Sequence, residues 1–110
     1  MENRPYVNGA RSMTAKDPAI YILASKRNGT LYIGVTSELS GRISEHKQDL
    51  QDGFTKRYGV HILVYFEHFD TMLEAISREK ALKKYSRARK IAQIEAKNPI
   101  WADLYDDIQD

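Results

Sequence analysis

Two short runs rich in β-branched and aromatic residues, 20–25 and 30–36, flank Lys26-Arg27-Asn28-Gly29, and this spacing constrains the fold more than any other feature. Asn-Gly favours the positive φ angles of a type I′ turn, so the runs are expected to pair as an antiparallel hairpin. With Asn28 and Gly29 at the centre of a two-residue turn, Ser25 faces Tyr32, Leu23 faces Gly34 and Tyr21 faces Thr36. One sheet face then carries Ile20, Ile22, Ala24, Leu31, Ile33 and Val35 and reads as core. The other carries Tyr21, Leu23, Ser25, Tyr32, Gly34 and Thr36, with two phenols beside a glycine that leaves room for close approach to the backbone. This register staggers the phenols, and a longer loop would bring them closer.

Ser37 is expected to cap a helix running to about Leu50, with Leu39, Ile43 and Leu50 as its apolar positions. Arg42 and His46, four residues apart, point the same way from the edge of that stripe. Gly53 ends the segment, a loop follows over residues 54–59, and residues 61–68 read as a third strand. Its apolar run, Ile62 to Phe66, suits a central or half-buried position. Thr71 and Glu74 spell a capping box for a helix to Lys84 or Tyr85, whose stripe is Met72, Ala75, Ile76 and Leu82, with Glu79 facing inward among them. A last helix over residues 86–97 packs through Ala88, Ile91, Ala92 and Ile94, and Asn98-Pro99 stops it.

At 110 residues the chain is expected to be one domain: a flexible leader over residues 1–17, a folded unit over 18–102 and an acidic tail over 103–110. Zero cysteines exclude disulfides and thiolate metal sites. No apolar run approaches the roughly 20 residues needed to cross a bilayer, so a cytoplasmic location and no membrane partner are expected. Net charge is only +2, but seven basic residues fall within positions 78–90 against Glu79 alone. Lys80, Lys83, Lys84, Arg87, Arg89 and Lys90 are therefore candidates to neutralise nucleic-acid phosphates, the alternative being a solvated helix surface.

Tyr21, Tyr32, Arg42, His46 and Glu79 are the candidate catalytic set. Two phenols, a guanidinium and a carboxylate suit cleavage of a phosphodiester with one metal ion, because they supply water activation, phosphate binding and a cation ligand. An ionised carboxylate facing a core needs a compensating cation or hydrogen bonds, so Glu79 holds either Mg²⁺ or Mn²⁺, or an internal partner such as Arg42 or a tyrosine. Both readings put Glu79 near Arg42. No phosphate-cradling glycine loop and no nucleophile elbow is present.

These residues resemble the GIY-YIG nuclease superfamily, in particular its small stand-alone bacterial members. Ala19-Ile20-Tyr21 is similar to the first motif and Tyr32-Ile33-Gly34 to the second, with Arg42, His46 and Glu79 following in order. The resemblance implies an α/β (α+β) fold, a small three-stranded antiparallel sheet flanked by three or more helices. It implies a metal-dependent endonuclease acting on DNA rather than RNA, structure-selective or weakly specific, in DNA repair or recombination, with a protein partner as one source of specificity. Glu79 would hold the Mg²⁺ or Mn²⁺, Arg42 would stabilise charge on the phosphate, Tyr32 would act as or assist the general base, and Tyr21 and His46 would position water or phosphate. A free phenol titrates near 10, so Tyr32 would need positive charge nearby. Ala19 replaces the first motif's glycine, and a more variable family histidine appears here as Thr55, with Tyr58 nearby. The competing readings are a non-catalytic nucleic-acid-binding module of the same fold and a protein-interaction domain.

Overall fold

In the computed structural model, which describes residues 17–50 and 53–108, the hairpin expected from the sequence is the centre of the molecule. Strand β1 (Ala19–Ala24) pairs antiparallel with β2 (Leu31–Thr36) on one side and with β3 (Ile62–His68) on the other, giving the order β2-β1-β3. The strongly apolar β3 is thus an edge strand, and β1, all six residues of which are buried, is the central one. The expected leader, residues 1–17, lies outside the described residues apart from Asp17, whose backbone N–H donates to the Ser37 carbonyl at 2.8 Å.

The register differs from the expected one by two residues: Tyr21 lies opposite Gly34 and Leu23 opposite Tyr32. Ser25 and Thr30 close the loop at 3.0 Å, a turn bond joins Gly29 N–H to the Lys26 carbonyl, and only Asn28 takes a positive φ, of 59°. A four-residue connection replaces the two-residue turn. Because the side-chain period is two, a two-residue shift exchanges partners and keeps faces. Ile20, Ile22, Ala24 and Ile33 therefore still share one core face, and Tyr21 and Leu23 the other.

Two layers of helix cover those faces. On the Tyr21 side lies α1 (Leu39–Lys47), which buries Leu39, Ile43 and His46. It starts one residue later than a Ser37 cap would set, with Glu38 at the cap position, and it ends before Leu50, which is 65% exposed. The expected loop after Gly53 contains a short helix, α2 (Phe54–Tyr58), closed by Gly59 in the left-handed region at φ 62°. On the Ile22 side lie α3 (Met72–Lys83) and α4 (Arg87–Lys97), which bury Ala75, Leu82 and Ile94 in one cluster with Tyr65 and Trp101. The Thr71–Glu74 capping box is formed in both directions, and Ser86 caps α4. Ala88 and Ala92 of α4 are exposed rather than packed.

A bulge between Ile22 and Leu23 turns both Val64 and Tyr65 toward the α3/α4 layer while Leu63 faces the α1 layer. There Glu67 accepts a bidentate pair from Arg78, Nε and Nη2 each at 3.0 Å, and a further bond from the Tyr65 hydroxyl, itself held by Gln93. Burial pushes the Glu67 carboxyl up, but the bonds from Arg78 and Tyr65 outweigh it and hold it below 4.5. The start of the expected acidic tail packs back onto the domain: Asp103 binds Lys47 at 2.6 Å, and a 3₁₀ turn (Leu104–Ile108) lies against α1 and β3. Among the described residues no helix is long and apolar enough to cross a membrane.

Candidate active site

The Tyr21 ring lies over Gly34, so close that a Cβ at Gly34 would sit inside the phenol's contact distance. The space left by that glycine is filled by the chain's own tyrosine. From there the Tyr21 hydroxyl reaches His46 Nε2 at 3.0 Å, and His46 Nδ1 reaches Thr55 Oγ1 at 3.1 Å. All three side chains are almost wholly buried, at 1%, 3% and 3% exposure. The row ties β1, α1 and α2 together. His46 continues the buried stripe of Leu39 and Ile43, whereas Leu50, beyond the end of α1 at Lys47, is exposed.

Burial pushes the Tyr21 phenol up to about 12, the neighbouring Tyr32 adds to the shift, and a hydrogen bond and charge from Arg42 only partly offset it. Burial and the Arg42 charge hold His46 below its ordinary 6.5, so the ring is neutral at pH 7. A neutral imidazole with both nitrogens engaged positions other groups and has none left for a phosphate.

Tyr32 sits 6.3 Å from Tyr21 and 5.6 Å from His46, centroid to centroid, and is only half-buried. It lines a groove of about 300 Å³ with Leu31, Ile33, Phe54, Lys83 and Lys90. Arg42 is 39% exposed and meets Glu45 at 3.5 Å, a surface pair weak enough to yield to a phosphate.

Glu79 faces inward, as its spacing predicts, with its side chain 13% exposed. Its recorded partner is not Arg42 or a tyrosine but Lys83, one turn along the same helix, at 2.7 Å. The reason is topological: α3 packs on the face of the sheet opposite Tyr21 and Arg42. Lys83 also lines the Tyr32 groove, which brings the carboxylate to the β2 edge from behind. Of the expected phosphate-binding cations, Lys83 and Lys90 border this groove, and Lys80, Lys84 and Arg89 are exposed. Arg89 stacks on the Tyr85 ring at 3.8 Å. Arg87 is engaged elsewhere, donating to the carbonyls of Asn28 and Gly29 at 2.6 and 2.7 Å. Sequence reasoning missed Phe54, whose signal was an aromatic just after a glycine and beside Lys56-Arg57.

The family model of the GIY-YIG catalytic domain matches residues 17–92 of this chain. The chain belongs to the GIY-YIG family. It is 39% identical over 79 residues to a UPF0213 protein of Clostridium perfringens, covering 72% of this chain and 84% of that one. A UPF0213 protein of Staphylococcus haemolyticus is 37% identical over 76 residues, covering 69% of this chain and 92% of its own. The solution structure of a UPF0213 protein of Bacillus halodurans superposes with a TM-score of 0.51 at 26% identity, over 79% of this chain and 92% of that one. GIY-YIG domains are in general nuclease domains that use a divalent metal.

Glu79 is the side chain that could hold such an ion. Among the described residues no three His, Cys, Asp or Glu side chains converge, so Glu79 offers a single carboxylate. A lone carboxylate suits a hard cation that keeps most of its waters, as Mg²⁺ and Mn²⁺ do. The cation now facing Glu79 is Lys83, whose side chain is 56% exposed.

Proposed function

We propose that this chain is a metal-dependent endonuclease that hydrolyses DNA phosphodiesters at the groove beside Tyr32. The observation that carries the reading is the buried row Tyr21–His46–Thr55, which locks one phenol neutral and inward while Tyr32 borders the groove. In this reading Tyr32, ionised to the phenolate by nearby positive charge, is the general base, taking a proton from the water that attacks phosphorus as the bond to the leaving oxygen breaks and that oxygen is protonated from solvent. Arg42 neutralises the charge that builds on the non-bridging oxygens. Tyr21 and His46 act through position: they fix the sheet-to-helix geometry that aims Tyr32 and Arg42. Glu79 would hold the Mg²⁺ or Mn²⁺, whose charge supplies Lewis-acid stabilisation of the phosphate. Lys83, Lys90 and the exposed lysines supply sequence-independent attraction to the backbone, in keeping with weak or structure-selective cleavage and a role in DNA repair or recombination.

The test is cleavage of branched, nicked, single-stranded and duplex DNA with Mg²⁺ or Mn²⁺ by the wild type and by Glu79→Ala. Metal-dependent cutting lost in the variant supports the reading, and equal cutting by both overturns it. The Lys83 ammonium on Glu79 favours a second reading, a nucleic-acid-binding module in which that lysine stands permanently where a metal would. Salt-sensitive binding with no cutting under any metal would establish it.

A further inference from the structure

Helix α2 presents its five residues in two directions. Thr55 is drawn inward to His46, and its neighbours Phe54 and Tyr58 are left 45% and 50% exposed. These rings are nonetheless held. Phe54 stacks with Tyr32, at 28° and 6.2 Å between centroids, and Tyr58 lies 4.8 Å from it at 46°. An exposed aromatic packed against two others is a preorganised surface, since little side-chain entropy remains to be lost when a flat ligand meets it. Cations surround it: Lys83 and Lys90 share the groove with Phe54, Lys56 and Arg57 are exposed on the same helix, and Arg57 sits 5.6 Å from the Tyr58 ring.

We propose that Phe54, braced by Tyr32 and Tyr58, is a stacking platform for one unpaired nucleobase next to the phosphate to be cut, so that the groove selects single-stranded or frayed DNA over closed duplex. Flat aromatic surface flanked by cations is the chemistry that binds a base by its π-face and the adjoining phosphates by charge. Bases inside a duplex already spend both faces on their neighbours and have none to offer. The proposal rests on the DNA-binding part of the function proposed above, and it names the form of the substrate.

The experiment is metal-free binding of the whole chain, in chelator at low salt, to fluorescein-labelled probes: a single strand, the same strand carrying abasic sites, and a closed hairpin duplex. The expected order for the wild type is single strand tightest, with Phe54→Ala losing roughly tenfold or more on the single strand and little on the duplex or abasic probe. Phe54→Trp is expected to restore single-strand affinity and to show indole quenching on binding. Equal losses on all three probes, or none, overturn the proposal, as does a wild type that prefers duplex. Because the preference is read as a ratio within each variant, partial loss of folded protein does not mimic it. If Phe54 carries the preference but no metal supports cutting, the platform stands and the nuclease reading falls. If cutting is metal-dependent while Phe54→Ala leaves the ratio unchanged, the nuclease reading stands and the platform falls.

Discussion

The Tyr21 hydroxyl and His46 Nε2 lie 3.0 Å apart with both side chains inside the protein, and the burial of that imidazole makes stability depend on pH. Burial and Arg42 hold the folded His46 below 6.5, whereas the unfolded chain takes its proton at the ordinary value. As pH falls through 6.5 the unfolded state binds the proton first, so the contribution of this ring is complete above 6.5 and is lost toward the lower folded value. Urea midpoints measured from pH 7.5 down to 5.5 should therefore fall for the wild type, and the slope should flatten in His46→Gln. An unchanged slope in the variant would assign the pH dependence to other groups.

Gly34→Ala tests the ring that covers the glycine. The added methyl meets Tyr21 carbons and oxygen together, and the phenol cannot retreat without giving up His46. A cost of about 1–3 kcal/mol is expected, the range for overpacking, against the small gain alanine brings to an ordinary strand position. Urea unfolding measures it, and a neutral or stabilised variant would mean that the ring has room to move.

The two phenols should separate stability from catalysis. Tyr21→Phe strands a buried imidazole nitrogen and is expected to lose about 1–3 kcal/mol. Tyr32→Phe keeps the ring contacts with Tyr21, His46 and Phe54 and should shift stability by less than about 1 kcal/mol while cutting falls on the order of 100-fold or more. Paired melting and cleavage assays read both quantities, and the reverse pattern would exchange the proposed roles.

How far such expectations can be written from sequence is visible in particular residues. The faces of the hairpin were legible because a period of two survives a register slip of two, but the pairing of Tyr21 with Gly34 was not, since it turns on a four-residue loop in which only Asn28 goes left-handed. Glu79 was legible as inward-facing from its place between Ala75 and Leu82. Its partner was not, because spacing along α3 says nothing about which face of the sheet the helix covers. The edge position of β3 was hidden by its own apolar run, where a bulge lets two successive residues, Val64 and Tyr65, face one core. His46 read as marginal because it is polar, although it lies seven residues after Leu39 and three after Ile43 on the buried stripe of α1.

The basic block is the remaining place where composition and structure part, and salt titration can divide it. Lys90 borders the groove, whereas Arg87 spends its guanidinium on two hairpin carbonyls. A cation that neutralises a phosphate releases a condensed counterion, so its removal lowers the slope of log affinity against log salt by about 0.7 on a single strand. Lys90→Ala should show that drop with stability nearly unchanged. Arg87→Ala should leave the slope alone and cost on the order of 1 kcal/mol, because the hairpin loses bonds that tie it to α4. Fluorescence anisotropy over a salt series, beside urea unfolding of the same variants, gives both numbers. A slope that falls equally for Arg87→Ala would show that this arginine leaves the hairpin for the nucleic acid, and the two residues would then act as one surface.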